Sequence, residues 1–191
     1  MRHESIPGND EESKIAENYW IEKLSGELSE TRLLSDFPRT RQYRQGKYGK
    51  KLDLPLSGKI LSIAKHNDLS VYVLLLTAFK ILIYKHSGQE DIIIASPVYS
   101  LTPRGVNQHV VLRDSPHPAM TFKDLLMTVK KTVVQGYQNQ YYSPADAIEV
   151  LGIDPVFSFY RVVMLFTKIH EPQLIIPQLE KLGNDLTLSI A

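Results

Sequence analysis

At 191 residues, with 43% hydrophobic and 23% charged residues, the chain has the length and apolar content of one folded domain with its own core. A net charge of +1 leaves no global field to gather nucleic acid or an anionic membrane. The lack of cysteine excludes a disulfide framework, thiolate zinc sites and a cysteine nucleophile, and fits a reducing, cytoplasmic setting.

The start, Met1-Arg2-His3-Glu4-Ser5, carries no apolar stretch and does not read as a secretory signal. Asn9 or Asp10 caps a helix running to about Ser25, where Gly26 stops it, with Ile15, Tyr19, Trp20 and Leu24 on one apolar face. A long connection over 29–46 contains Pro38. Rough alternation predicts a strand over 48–54, ending at Pro55, and Ser57 then caps a helix to about Asn67. Ser70 caps the next helix, which Ser87-Gly88 ends. Its apolar run, 71–84, is interrupted by Lys80 and falls short of the ~20 apolar residues of a membrane span, so a buried helix is expected and no membrane partner.

Residues 91–98 are continuously apolar and β-branched, the pattern of a buried central strand. A second strand is expected over 106–113. Thr121 caps a helix to about Gln138, with Phe122, Leu125, Leu126, Val129 and Val133 on one face. A short helix over 144–151 begins with proline in its first turn. Strands follow at 157–167, 173–176 and 185–190. Helices alternate with strands early and strands dominate late, which predicts an α/β two-layer sandwich with helices packed on a mixed β-sheet.

Candidate chemistry is sparse. No two of the six histidines stand at the i, i+4 spacing of a zinc-protease helix, and none lies in an HxxxD pattern. His66 and His86 sit near helix ends, where a cation suits the dipole. His3 is in the N-terminal tail, His109 within a strand, His117 between two prolines, and His170 just after a strand. All six read as structural or solvent-facing. No metal site and no phosphate-cradling glycine loop is expected: Gly46 and Gly49 flank Lys47 and Tyr48, but neither a GKS/T nor a GxGxxG follows. Arg39, Arg41, Arg44, Lys47, Lys50 and Lys51 form a basic run with no acid between Asp36 and Asp53, interleaved with Tyr43 and Tyr48. Such a run can grip a phosphate backbone or a phosphopantetheine arm. The plainer reading, which composition favours, is a solvated strap and an edge strand that lysine keeps from pairing.

Several short patterns then fall in one order. Tyr19-Trp20 with Leu24-Ser25-Gly26 resembles a YWxxxLxG helix, and Asp36-Phe37-Pro38-Arg39 a DxPR strap. The block from Leu69 to Val98, with Ser87-Gly88-Gln89 and Asp91 ahead of Pro97-Val98, resembles an SGQxDIxxGxPV strand and the helix before it. Val106-Asn107 and Leu112-Arg113 resemble FVNTxxLR, and Asn139-Gln140 opens an (H/N)QxxPFE turn. Pro155-Val156-Phe157 with 163–166 resembles NPLFxVxF, and 185–189 resembles FDLTLS. In this order they resemble the second lobe of the condensation domains of nonribosomal peptide synthetases, one lobe of the chloramphenicol-acetyltransferase-like fold.

The departures matter as much. The family's HHxxxDG motif is absent from these 191 residues. The segment between Ser100 and Val106 is about ten residues shorter than the family's crossing segment, and the 106–113 strand is one residue long against the pattern, so a bulge is open there. Ser143-Pro144 stands where Pro-Phe is usual, and only Ile153-Asp154 precedes Pro155. Arg2-His3-Glu4 matches the start of the family's RHExLR only by coincidence, since no LR follows.

The resemblance implies one partial condensation domain over 1–191, a C-terminal lobe starting at its own Met1, with no catalytic, cofactor-binding or metal-binding residue. It implies a non-catalytic scaffold for the adenylation domain that follows in a first module. Phosphopantetheine and ATP are implied only for neighbouring domains. Two rivals stay open: one lobe of an active domain completed by a missing lobe, and a module using residues 39–51 to bind a carrier protein or, less expected, nucleic acid.

Overall fold

The computed structural model describes residues 10–34, 46–99, 109–154, 156–171 and 184–191. Pro38, Arg39, Arg41, Arg44, Asn107, Pro155 and the strand expected at 173–176 lie outside them.

Helix α1 (Asp10–Leu24) ends before Gly26, whose φ of 78° is left-handed and favours glycine. Ala16, Trp20 and Leu24, each four residues from the last, form its buried stripe. Ile15, expected inside, lies one position off that stripe and is 59% exposed. Tyr19 is half-buried beside it.

The strand expected over 48–54 does not form. Residues 46–53 have no regular structure, and helix α2 (Leu54–Ile63) begins at the position where that strand was to end. Asp53, not Ser57, is the N-cap: its Oδ1 accepts from the Leu56 N–H at 2.7 Å, and Pro55 fits the first turn, where no N–H is needed. The helix also stops earlier than expected. Lys65 and His66 take φ of 53° and 55°, and the His66 N–H donates to the Leu61 carbonyl, so the chain reverses sharply.

Asn67, rather than Ser70, caps α3 (Asp68–Ser87), accepting from the Ser70 N–H at 2.8 Å. Gly88 closes it in the left-handed conformation at φ 71°. At 20 residues and a mean hydropathy of 1.4, α3 is longer than the sequence pattern indicated, and long and apolar enough to cross a membrane by length and composition. Its contacts with β1 and α4 make it the core helix here.

Among the described residues, four strands form one sheet in the order β2-β1-β3-β4. β1 (Ile92–Pro97) runs antiparallel to β2 (His109–Asp114) and parallel to β3 (Val162–Phe166), which is parallel to β4 (Leu186–Ile190). The β1–β2 register is unbroken from Ile92↔Asp114 to Pro97↔His109, so the bulge left open is absent from the described pairs. β3 starts five residues later than expected, because 157–161 form turns. Helix α4 (Phe122–Gln138) has a full capping box: Thr121 Oγ1 accepts from the Asp124 N–H and Asp124 Oδ2 from the Thr121 N–H. Phe122, expected on the buried face, is 44% exposed, while Leu125, Val129 and Val133 are buried. Helix α5 (Pro144–Leu151) packs on α1.

Alternation along β1 points Ile92, Ile94 and Ser96 at the helices, where they join Tyr72, Leu76, Trp20 and Val133 in the main core. Ala95, Val163 and Leu165 face the other way and form a second, smaller buried cluster with Tyr160 against it. Helices on a mixed sheet are the α/β two-layer arrangement expected.

Candidate functional site

Two polar clusters lie between α3 and the sheet. In the first, Lys80 and Asp114 are both fully buried, with Lys80 Nζ 3.2 Å from Asp114 Oδ2 as an ion-pair contact. The ammonium donates to the Leu112 carbonyl at 2.7 Å and the Ile92 carbonyl at 3.1 Å, and faces the carboxylate as its counter-charge. Asp114 Oδ1 accepts from Thr132 Oγ1 at 2.6 Å, which in turn accepts from Lys23 at 3.2 Å. Burial pulls the Lys80 amine below its ordinary pKa, and the Asp114 carboxylate opposes that pull. The lysine that interrupts the apolar run therefore crosses from α3 to pin β1 and β2.

The second cluster holds Tyr72, Ser96, Tyr137 and His170. Tyr72 donates to Ser96 Oγ at 2.7 Å, Tyr137 lies 3.2 Å from that oxygen, and His170 Nε2 is 2.8 Å from Tyr137 Oη and 3.5 Å from Ser96 Oγ. A buried serine beside a histidine raises the question of a nucleophile and its base. Hydrogen bonding answers it. His170 Nδ1 accepts from the Phe166 N–H at 2.9 Å, so in the neutral ring the proton sits on Nε2. That nitrogen donates to Tyr137 and cannot take a proton from Ser96. Ser96 Oγ donates instead to the Pro97 carbonyl at 3.1 Å. Burial lowers the His170 pKa from the usual 6.5 to about 3 and raises those of Tyr72 and Tyr137. The cluster is a neutral, directional lock joining α3, β1, α4 and the turn after β3.

The second buried histidine, His109, is lowered by burial to about 4, and its Nε2 has no partner among the described residues. Its ring meets Tyr160 edge-on at 5.5 Å. His66, His86 and His117 are exposed. Among the described residues no group of three or more histidines or carboxylates could hold a metal ion.

Most of the motif residues meet as a structural clasp. Arg113 donates through Nε to Asp91 Oδ1 at 2.8 Å, and through its terminal nitrogens to the carbonyls of Lys23, Ser25 and Glu27. Asp91 Oδ2 accepts from the Ser29 N–H, and the Gln89 amide bridges Glu30 and Arg32: its Oε1 accepts from the Arg32 N–H and its Nε2 donates to the Glu30 carbonyl. The segment after α1 is thus strapped to the turn before β1. Ser87 Oγ donates to the Ile83 carbonyl and accepts from the Gln89 N–H, which shapes that turn with Gly88. Trp20 Nε1 donates to the Asn139 carbonyl at 2.8 Å, Tyr19 lies edge-on to Trp20 at 4.9 Å, and Gln140 Oε1 accepts from the Tyr99 N–H. Pro97 ends β1 opposite His109.

An open cleft of about 500 Å³ adjoins the clasp, lined by Glu30, Arg32, Gln89, Asp154, Phe157 and Arg161 among others. Glu30 is its centre: its carboxylate accepts from the Ser158 N–H and from Arg32, and lies 3.5 Å from Arg161. These hydrogen bonds and cations hold its pKa below the usual carboxylate range despite partial burial. Of the basic run, Lys47, Lys50 and Lys51 are exposed, and the structure brings none of them to the cleft. The tyrosine–serine–histidine lock and the Lys80–Asp114 pair carried no signal in the sequence beyond one lysine in an apolar run.

The Condensation domain family model matches residues 8–153, and the chain belongs to that family. Among curated relatives it is 33% identical over 149 residues to bacitracin synthase 2 of Bacillus licheniformis and 31% identical over 154 residues to bacitracin synthase 3 of the same organism. These alignments cover 73% and 75% of the chain but only 6% and 2% of the two synthases. In fold it is similar to the starter condensation domain of rhizomide synthetase RzmA in complex with C8-CoA, with a TM-score of 0.64 at 16% identity, over 83% of this chain and 37% of that one. It is also similar to a four-domain nonribosomal peptide synthetase bound to AMP and glycine, with a TM-score of 0.68 at 16% identity, over 88% of this chain and 14% of that one. These likenesses bear out the α/β lobe of the chloramphenicol-acetyltransferase-like fold.

Proposed function

We propose that these residues act as a non-catalytic condensation lobe at the start of an initiation module of a peptide-antibiotic synthetase, supporting the fold of the adenylation domain beside it. The observation that carries this is the state of the histidines. No HHxxxDG is present in the 191 residues, and the two buried rings are neutral, with His170 committed as a donor to Tyr137. Amide formation between an acyl donor and an amine needs a group that handles the amine proton; His170 is committed to Tyr137, and burial makes His109 a weak base. Phosphopantetheine and ATP then belong to neighbouring domains, and what remains for this lobe is a surface.

A second reading follows from extent. The matched residues span 37% of the solved starter condensation domain chain, so a first lobe supplied from elsewhere could complete an active domain. One assay, run with and without a first lobe carrying HHxxxDG added in trans, separates the two: amide formation only with both lobes present supports the second reading. With a loaded donor carrier and an amine acceptor, the chain alone is expected to give the uncatalysed rate. Turnover by the chain alone that His170→Ala or His109→Ala abolishes would overturn the non-catalytic reading. A carrier-protein contact through Lys47, Lys50 and Lys51 is supported by their exposure, and calls for binding that falls steeply with salt.

A further inference from the structure

Helix α2 buries none of its residues, although it is among the most apolar stretches of the chain. Leu54 is 87% exposed and Ile63 67%, with Leu52 and Leu56 also open to solvent. Single exposed apolar residues are ordinary, but five fall within twelve positions here, Leu61 included, and on α2 Leu56 and Ile63, seven residues apart, share one side of the helix while Leu54 and Leu61 share the other. The surroundings are basic. Lys47, Lys50, Lys51, Lys59 and Lys65 are exposed between Gly46 and Asn67, against one acid, Asp53, whose carboxylate caps the helix.

The same chain carries the complement. On α1, Glu11, Glu12 and Glu22 are exposed against one exposed lysine, Lys14, which stands beside Ile15, itself 59% exposed. On α5, which packs on α1, Asp146 and Glu149 are exposed beside Val150, at 61%. A net charge of +1 thus hides a separation: an acidic surface tipped with isoleucine and valine, and a basic surface tipped with leucine and isoleucine.

We infer that the α2 surface is a docking face for the α1–α5 surface of a second copy of this chain. Lysines of one copy meet glutamates and aspartates of the other around an apolar centre, the arrangement of a charged rim on a desolvated patch. The surfaces are small and the ion pairs exposed, so the association is weak, with a dissociation constant in the range of roughly tens to hundreds of micromolar, and falls with salt. Because the two faces differ, contact is head-to-tail unless a two-fold arrangement closes it at a dimer. The inference stands apart from the adenylation-domain reading, which neither requires it nor fails with it.

Sedimentation velocity on the full chain tests it. At low salt the weight-average mass should rise with concentration above 21.8 kDa, and high salt should weaken association by about tenfold or more. Leu56→Glu with Ile63→Glu removes one face, and Ile15→Lys with Val150→Lys removes the other. All four positions are exposed, so both variants should melt like the parent. Each alone should be monomeric, and an equimolar mixture should regain a complex through the one intact face on each partner. Should either variant melt early, Lys50→Glu with Lys51→Glu replaces the first, and Glu11→Lys with Glu149→Lys the second. A chain that stays monomeric at low salt and about 1 mM, a mixture that does not associate, or self-association unchanged by the variants overturns the proposal. So does binding to phosphatidylglycerol vesicles without self-association, which would assign the basic face to a lipid surface.

Discussion

Lys80 on α3 and Asp114 at the end of β2 form an ion pair 3.2 Å apart with neither side chain reached by solvent. Two charges taken out of water cost several kcal/mol each, and their attraction offsets this only while both remain and every donor is satisfied. Lys80→Met or Asp114→Leu alone is therefore expected to destabilise the fold by ~3–5 kcal/mol, because the other charge is stranded. The double substitution should recover most of that loss. Urea unfolding of the three variants checks it, and a double variant no better than the worse single would contradict the pairing.

In the tyrosine lock the bonds differ in what their loss leaves behind. Tyr137→Phe removes the acceptor of the His170 Nε2–H and should cost ~1–3 kcal/mol, the penalty of a buried donor without a partner. Tyr72→Phe removes only a donor to Ser96 Oγ, which keeps Tyr137 and the Pro97 carbonyl, and should cost ~0.5–1.5 kcal/mol. Thermal or chemical unfolding that reverses this order would show that His170 does not donate to Tyr137.

Acid should unfold the chain through its histidines. His170 and His109 titrate near 6.5 when unfolded and at about 3 and about 4 when folded. Below 6.5 the unfolded chain binds protons that the folded chain refuses, so stability falls as the pH falls. The loss begins near 6.5 and is complete below about 4 for His109 and about 3 for His170, at up to about 1.4 kcal/mol per pH unit for each ring. His170→Gln should flatten part of that slope in a series of urea midpoints between pH 7 and pH 4. An unchanged slope would mean that the ring titrates alike in the folded and unfolded chain.

Phe79 is 7% exposed on α3 among the main core residues. Phe79→Ala should cost ~3–5 kcal/mol through lost burial and the cavity left behind. A loss below ~1 kcal/mol would place the ring outside the core.

The framework of the fold was legible where local chemistry and pattern agreed. Ser87-Gly88 ends α3, Thr121 opens α4, and the β-branched run over 92–97 is the central strand, because turns, caps and buried strands each leave a local trace. Residues 48–54 misled because a proline that can end a strand can also begin a helix, and only the Asp53 cap decides between them. Ile15 misled because the buried stripe of α1 runs through its small neighbour Ala16, and Phe122 because it is the first residue of α4, ahead of the buried Leu125, Val129 and Val133. The polar clusters were hidden for a different reason. Lys80 finds Asp114 and Tyr137 finds His170 more than thirty residues away, through packing that no local pattern encodes. Conversely, the motif residues Gln89, Asp91 and Arg113 were conspicuous in the sequence, and the structure places them in a clasp rather than in a reactive site.

The central claim is that this lobe works through its neighbour's stability rather than through chemistry of its own. The most direct measurement compares the proposed adenylation-domain neighbour with and without residues 1–191, by melting temperature, soluble yield and amino-acid-dependent pyrophosphate exchange. The account predicts a lower melting temperature and yield without the lobe, a fall in specific activity that follows them, and no change in which amino acid is activated, since a contact that stabilises the native fold acts on population rather than on the adenylate. An isolated adenylation domain that is equally stable and equally active would contradict it.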